Sequence, residues 1–470
     1  MNDRYDVIVI GGGFAGLMSS CILSKNGQKV LLIEKQKSVG GMSQMIHFHG
    51  EEYFMGAHHI AGICKNSQVG DLFESLGLPL EEYFEEVKIM HIIIKDKIYD
   101  VPLKLDELER YVEEQFPEEK NSKVFFEKLA KYKEHFILGN DKGLLEMFME
   151  TSSISYLDFL RKYFTDTTLM ELLTMLGPGY GGVGINSSAF NNLSLLVSYG
   201  IGSGYIKGSN TVLLDKFLDI IKKNGSEVHT SCECVDLIVE NEKVTGVVCE
   251  ENSQRKIYRC HNVLFASYPF SILKPYIEQK RLYQKISKFN YGPSVVRLVG
   301  TLDENSPYKQ GDFAYMGNNS YDCLEKSLFF KNDIEELPVC MLYFRNNGET
   351  NTTKFMFTFL IKGRDIILKD KVLLLIKQAL PTLYNSIQDS YVIQGSAYKA
   401  ITCAEYGSVF GWERSTYAIM NTNSFSPQIT PIEGCYIAGN WSTDFGIYGA
   451  VRTANKASNA ILSNTEKEKR

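Results

Sequence analysis

The sequence has no CxxC pair and no histidine at zinc-ligand spacing from a cysteine. Its ten cysteines therefore suggest neither a metal site nor a disulfide framework. Scattered thiols of this kind point to a reducing, cytoplasmic setting. Net charge is also scarce, at −6 over 470 residues, and the like-charge clusters are short acidic runs such as LEEYFEEV. This removes the electrostatic footprint expected of a nucleic-acid partner. Long apolar runs are missing as well. The stretch before the first glycines is too short for a signal-peptide core, so export is not expected. Leu172 to Ile206 carries no charge but is broken by GPGYGGVG and YGIGSG, so no transmembrane segment is expected. No internal repeat or low-complexity tract appears.

What is present is the composition of a globular protein, 44% hydrophobic and 23% charged, with enough chain for two or more domains. The N-terminus reads YDVIVIGGGFAGLMSSCILSKNGQKVLLIEK. An apolar strand, Val7 to Ile10, leads into Gly11, Gly13 and Gly16 at GxGxxG spacing. A helix of small and apolar residues and a second strand, Val30 to Ile33, follow, and Glu34 ends the unit. Each part has a physical task. Gly11 permits the tight turn, Gly13 lets the backbone approach a pyrophosphate, and Gly16 lets helix and strand pack closely. The helix N-terminus offers free N–H groups to phosphates, and Glu34 is placed to accept hydrogen bonds from ribose hydroxyls.

Beyond Glu34, EKQKSVGGMSQ brings the pair Gly40-Gly41, and YFMGAHHI brings Gly56-Ala57. With these the chain resembles the FAD-dependent amine oxidase and phytoene desaturase superfamily. That resemblance implies FAD, and an α/β fold with a discontinuous, Rossmann-like FAD-binding domain of GR2 type. Into it would be inserted a substrate domain of mixed β-sheet and helical cap. The segments implied are 1–75, 208–290 and 405–470 for the FAD domain, 76–207 for the cap and 291–404 for the sheet. Met42 stands where relatives usually carry Arg, which would leave the phosphates to another cation or to the helix dipole.

Periodic apolar positions predict helices in VGDLFESLGL, KVFFEKLAKYKEHFIL and SYLDFLRKYFTDTTLMELLTML. A helix is expected over Thr211 to Lys223, stopped at Gly225. Strands are expected around Val228, over Val235 to Val239 and Val244 to Val248, and in the run ending at Ala266. Alternating strands are expected in SVVRLVGTL, ELPVCMLYFR, KFMFTFLIKG and DSYVIQGSAYKA. Near the C-terminus, YIAGNWSTDFGIYGAV places Gly439 at a strand end and Gly449-Ala450 at the start of a helix with Ala454, Ala457 and Ala460. Such a helix would aim its positive end at the flavin.

Carried residue by residue, the resemblance implies cofactor contacts at Gly11, Gly13, Phe14, Ala15, Gly16, Glu34, Lys35, Gly41, Met42, Gly56, Ala57, His58, Val235, Ala266, Gly439, Asn440, Gly449, Ala450 and Val451. Val235 would meet the adenine through its backbone, and Asn440 replaces the usual Asp or Glu. The YG turn in EYGSVFGW and the lysine-glycine segment in YIKGSNTVLL look most like the phytoene desaturase, carotenoid isomerase and retinol saturase branch. The reaction implied is hydride transfer from a substrate C–H bond to flavin N5, with an apolar or polyene-like substrate. Two alternatives stand beside it, amine oxidation at a C–N bond and a non-redox isomerisation on FAD. Amine oxidases hold a water near N5 with a lysine, for which Lys354 and Lys362 are candidates. His58, His59 and Tyr448 are the catalytic candidates, and Tyr343, Phe344, Phe355, Phe357, Phe359, Tyr406, Phe410 and Trp412 the candidate pocket aromatics. The expected partner is an apolar small molecule, with membrane contact at most peripheral.

Overall fold

In a computed structural model of the chain, residues 4–469 are described except 57–59, 66, 96, 139–140, 177–185, 318–327, 348–351, 363–365, 423–429, 443 and 445. The first strand, β1 (Arg4–Ile10), is apolar on both faces because it is covered on both, as parallel strands in layered α/β proteins are. It pairs in parallel with β2 (Val30–Ile33), Val7 opposite Val30 and Ile10 opposite Ile33. On its other side it pairs with Gln254–Phe265, Ile10 opposite Phe265. Glu227–His229 extends the sheet beyond β2, and Cys435–Ile437 pairs with the end of Gln254–Phe265. All these pairings are parallel. The other half of the long strand Gln254–Phe265 joins an antiparallel meander with Lys243–Glu251 and Cys232–Glu240.

Helix α1 (Phe14–Lys25) leaves β1 through the glycine loop. A Cβ on Gly16 would lie 1.9 Å from the Gly11 carbonyl oxygen, so only glycine lets the helix start this close to the strand. The C-terminal helix, Gly446–Lys469, shares a buried cluster with α1 through Leu17, Cys21, Ala454, Ala457 and Ile461. Its alanines make that close approach possible.

The second large sheet has the order Ile387–Ile393, Ser294–Leu302, Thr352–Ile361, Cys340–Asn347, Gly311–Gly317, Ile89–Ile94, Lys97–Pro102. Its pairs are antiparallel, apart from the parallel pair Gly311–Gly317 with Ile89–Ile94. The last two strands come from a stretch read above as helical, where a short run such as MHIII does not by itself separate strand from helix. The 389–400 stretch read as strand is strand only to Ile393, then a helix, Gly395–Thr402.

Alternation along the strands sorts the side chains of this sheet. Val296, Leu298, Phe355, Phe357 and Phe359 pack beneath the helix Lys369–Ala379, whose Val372, Leu375 and Ile376 complete that cluster. Val295, Val299, Met341, Tyr343 and Met356 face the other way, into a core built with helices such as Ser122–Leu138 and Ala189–Ile201. No helix among the described residues is long and apolar enough to cross a membrane.

Candidate cofactor and substrate site

The site lies where three loops of the parallel sheet meet the second face of the mixed sheet. At Gly11, φ is +106°, a value that L side chains rarely adopt. Gly13 is the N-cap of α1 at φ −73°, and a Cβ there would meet nothing within 4 Å, because the position faces open cavity. The paired glycines close onto this loop. Gly40 N–H donates to the Gly12 carbonyl at 2.7 Å, and a Cβ on Gly41 would lie 3.1 Å from the Gly13 Cα. Gly56 closes the next layer, where a Cβ would fall 2.1 Å from the Met42 carbonyl oxygen.

Glu34 is buried at the end of β2. One carboxylate oxygen accepts the Gly12 N–H at 2.6 Å and the other the Gln36 N–H at 2.7 Å. Burial outweighs these bonds and pushes its carboxyl above the usual carboxylate range. Further hydroxyl donors would favour its ionised form. Two helix N-termini border the same cavity, that of α1 at Gly13 and that of the C-terminal helix at Gly446. Neither has an acidic residue in its first turn among the described residues; the α1 end carries no side-chain cap and is open to an anion, whereas at the second the Gly446 N–H is already bonded to the Asn440 amide oxygen.

The cavity is an open-mouthed cleft with about 1570 Å³ of empty space, solvent at its entrance included. Gly11, Gly13, Phe14, Ala15, Glu34, Gly41, Met42, Gly56, Ala266, Gly439, Asn440 and Ala450 all border it. Several expected residues do not. Lys35 is partly exposed and pairs with Glu233 at 2.8 Å. Gly16 acts in packing, as described above. Gly449 sits in the first turn of a helix that opens at Gly446, three positions earlier than expected, and a Cβ on it would meet Asp444 at 2.7 Å. Val451 is buried in the interhelix cluster. Val235 lies outside the cavity lining at a register shift, with no cross-strand partner between the pairs Cys234–Cys249 and Asp236–Val248. Ala57, His58 and His59 lie outside the described residues.

The remaining catalytic candidate, Tyr448, does not border the cavity. Its ring fills the space beside Gly62 and lies under Arg452, and burial pushes its phenol up to about 12. Asn440 has a structural task. Its amide donates to the Val409 carbonyl at 2.8 Å and its oxygen accepts the Gly446 N–H at 3.0 Å, so one side chain holds two loops and caps the helix. An Asp would supply only the second bond.

At the substrate end the walls are Val339, Met341, Leu360, Phe410, Tyr199 and Tyr343. Burial pushes both phenols above the usual tyrosine range, so they are neutral. Of the expected aromatics, Tyr343 and Phe410 face the cavity, whereas Phe344, Phe355, Phe357 and Phe359 occupy the opposite face of the sheet. Trp412 meets Trp441 edge to face with ring centroids 5.0 Å apart, and Tyr406 is 39% exposed. Lys354 binds the Glu52 carbonyl and pairs with Glu51, Lys362 lies over the Phe329 ring, and neither lines the cavity. Among the described lining residues only Glu34 and Arg297 carry ionisable charge, and sequence reasoning passed over Arg297.

Comparison with known proteins agrees with this architecture. The profile of the flavin containing amine oxidoreductase family matches residues 14–462. Human all-trans-retinol 13,14-reductase is 27% identical over 274 residues, 52% of this chain and 44% of that protein. The 4,4'-diapophytoene desaturase (4,4'-diapolycopene-forming) of Methylomonas sp. is 21% identical over 322 residues, 65% of this chain and 62% of that protein. These matches span less than two thirds of the relatives' own length. Among solved structures, cyclohexylamine oxidase from Brevibacterium oxydans is 14% identical with a TM-score of 0.63, over 99% of this chain and 100% of that one. A putrescine oxidase variant is 13% identical with a TM-score of 0.67, over 98% and 99%; at these identities the likeness is one of fold. The glycine cradle, the buried Glu34 and the uncapped N-terminus of α1 suit a dinucleotide, and the chain belongs to the flavin containing amine oxidoreductase family as an FAD-dependent oxidoreductase.

Proposed function

We propose that this enzyme removes a hydride equivalent from a C–H bond of an apolar, polyene-like small molecule. The observation that carries the reading is the charge of the substrate end. Its walls are apolar, it has no carboxylate among the described lining residues, and its one ionised group is the cation Arg297. An ammonium substrate would be desolvated there without a counter-ion and against a like charge, at high cost. A neutral polyene loses nothing on entering. The names of the retinol reductase and the diapophytoene desaturase agree with such a substrate.

FAD, when bound, supplies the redox chemistry. In this reading the backbone at Gly11 and Gly13 and the N-termini of α1 and the C-terminal helix hold its phosphates and ring. Glu34 accepts the ribose hydroxyls, and the Val235 backbone, at the register shift, meets the adenine. Segments 1–75, 208–290 and 405–470 form the cofactor domain, with 291–404 and 76–207 covering the substrate; the latter contributes the hairpin Ile89–Pro102. Val339, Met341, Leu360 and Phe410 exclude water and position the C–H bond. A cytoplasmic setting, with peripheral membrane contact to collect an apolar substrate, suits the described cysteines, which are all free thiols.

The test is anaerobic mixing of the FAD-loaded enzyme with all-trans-retinol, with an acyclic carotenoid precursor and with primary amines. Bleaching of the oxidised flavin band by a polyene, with an added double bond in the product, is the expected result. Bleaching by amines alone would overturn the proposal. Isomerised polyene without bleaching would favour the non-redox alternative.

A further inference from the structure

Arg297 has so far been given only the task of disfavouring cations. It stands in the apolar strand Ser294–Leu302, turned toward the cavity and 5% exposed. Nη1 donates to the Phe54 carbonyl and Nη2 to the Gly56 carbonyl, both at 2.7 Å. The guanidinium also lies over the Tyr398 ring at 5.9 Å. These partners are neutral. Among the described residues no carboxylate pairs with it, and its Nε–H is buried without an acceptor. Thr358, opposite Arg297 on the neighbouring strand, likewise has a buried hydroxyl without a partner. A buried cation held only by dipoles is stabilised by any negative charge that forms nearby.

Its anchors locate where that stabilisation acts. Gly56 sits on the Met42 carbonyl, and the adjacent Gly41 sits against Gly13, so the guanidinium is fastened to the wall between the cofactor loops and the substrate end. We propose that Arg297 is the fixed counter-charge for the negative charge that the flavin ring acquires on reduction, stabilising the reduced cofactor electrostatically. The proposal rests on the FAD reading but not on the identity of the substrate.

The test uses sulfite, whose lone pair adds to the oxidised flavin at N5, forming one N–S bond and leaving the added negative charge on the ring. FAD-loaded wild type, R297K and R297Q are titrated with sulfite, and their two-electron midpoint potentials are measured. R297Q keeps a donor for the backbone carbonyls but loses the charge; R297K keeps the charge but loses the fork. The expected result is sulfite binding at least about tenfold weaker in R297Q, with a midpoint potential lower by about 30 mV for each factor of ten, and R297K close to wild type. FAD content and thermal midpoint are followed separately, because a mere tether would move those and not the potential. If R297Q and R297K show the same sulfite affinity and potential, charge is not what Arg297 contributes and the proposal is overturned. An apolar carboxylate that displaces sulfite from wild type but not from R297Q would assign the charge to substrate binding and also overturn it. A wild-type chain that holds no FAD would instead refute the cofactor reading itself.

Discussion

Replacing Gly13 with Ala separates cofactor binding from folding in a way that few substitutions in this loop can. Gly13 has φ −73°, which alanine adopts freely, and its Cβ would meet nothing within 4 Å. Loss of backbone entropy in the unfolded chain favours the variant by about 0.4–1 kcal/mol, and the poorer N-cap offsets part of that. The apoprotein should therefore keep its stability to within about 0.5 kcal/mol by urea unfolding. The new methyl group points into the cavity, where a pyrophosphate would approach the N–H groups of α1. Losing one charge-assisted bond there costs about 1.5–3 kcal/mol, so the Kd for FAD should rise roughly tenfold to a hundredfold. Fluorescence quenching of FAD titrated into apoprotein reads this directly. Gly16→Ala is the contrast: its Cβ would fall 1.9 Å from the Gly11 oxygen, and the overpacking should cost about 1–3 kcal/mol or more of stability. Gly13→Ala apoprotein that binds FAD within about threefold of wild type would refute this placement of the phosphates.

Other substitutions test other parts of the site. Glu34→Gln should weaken FAD binding, because an amide nitrogen replaces one of two acceptors facing backbone N–H groups, at about 1–3 kcal/mol. The native state holds the Glu34 proton more tightly than the unfolded chain does. Wild-type apoprotein should therefore lose stability as pH rises from about 4.5 through the raised native value, and urea midpoints of Glu34→Gln should lack that component. Asn440→Asp cannot donate to the Val409 carbonyl and should lower urea stability by about 1–3 kcal/mol, which unfolding curves at neutral pH would register. Tyr448→Phe should change the rate of flavin reduction by less than about twofold, since the hydroxyl does not border the cavity; stopped-flow traces would show otherwise if it acts on the substrate.

The parts legible in the sequence were those whose chemistry is local. GxGxxG followed by Glu34 predicts a loop, a helix end and an acceptor within one βαβ unit, and the contacts at Gly11, Gly16 and Glu34 have those forms. Residues whose partners are remote in sequence were harder to read. The structural task of Asn440 was not legible, because Val409, the carbonyl it holds, is not identifiable as its partner until the chain is folded. The phenylalanines of KFMFTF share one face by alternation, but the pattern does not say which face meets the cavity, and they met the helix Lys369–Ala379 instead. A signal for Arg297 was available: a lone charge in SVVRLVG, on a strand otherwise buried, requires partners. Those partners, the carbonyls of Phe54 and Gly56, lie on a segment far away in sequence.

The most direct measurement of the central claim is a crystal structure of the FAD-loaded protein. The pyrophosphate should lie against Gly11 and Gly13, the ribose hydroxyls on Glu34, and the flavin ring between the N-terminus at Gly446 and the wall carrying Gly56 and Arg297. Cofactor density elsewhere, or a carboxylate brought into the substrate end beside the ring, would contradict that claim.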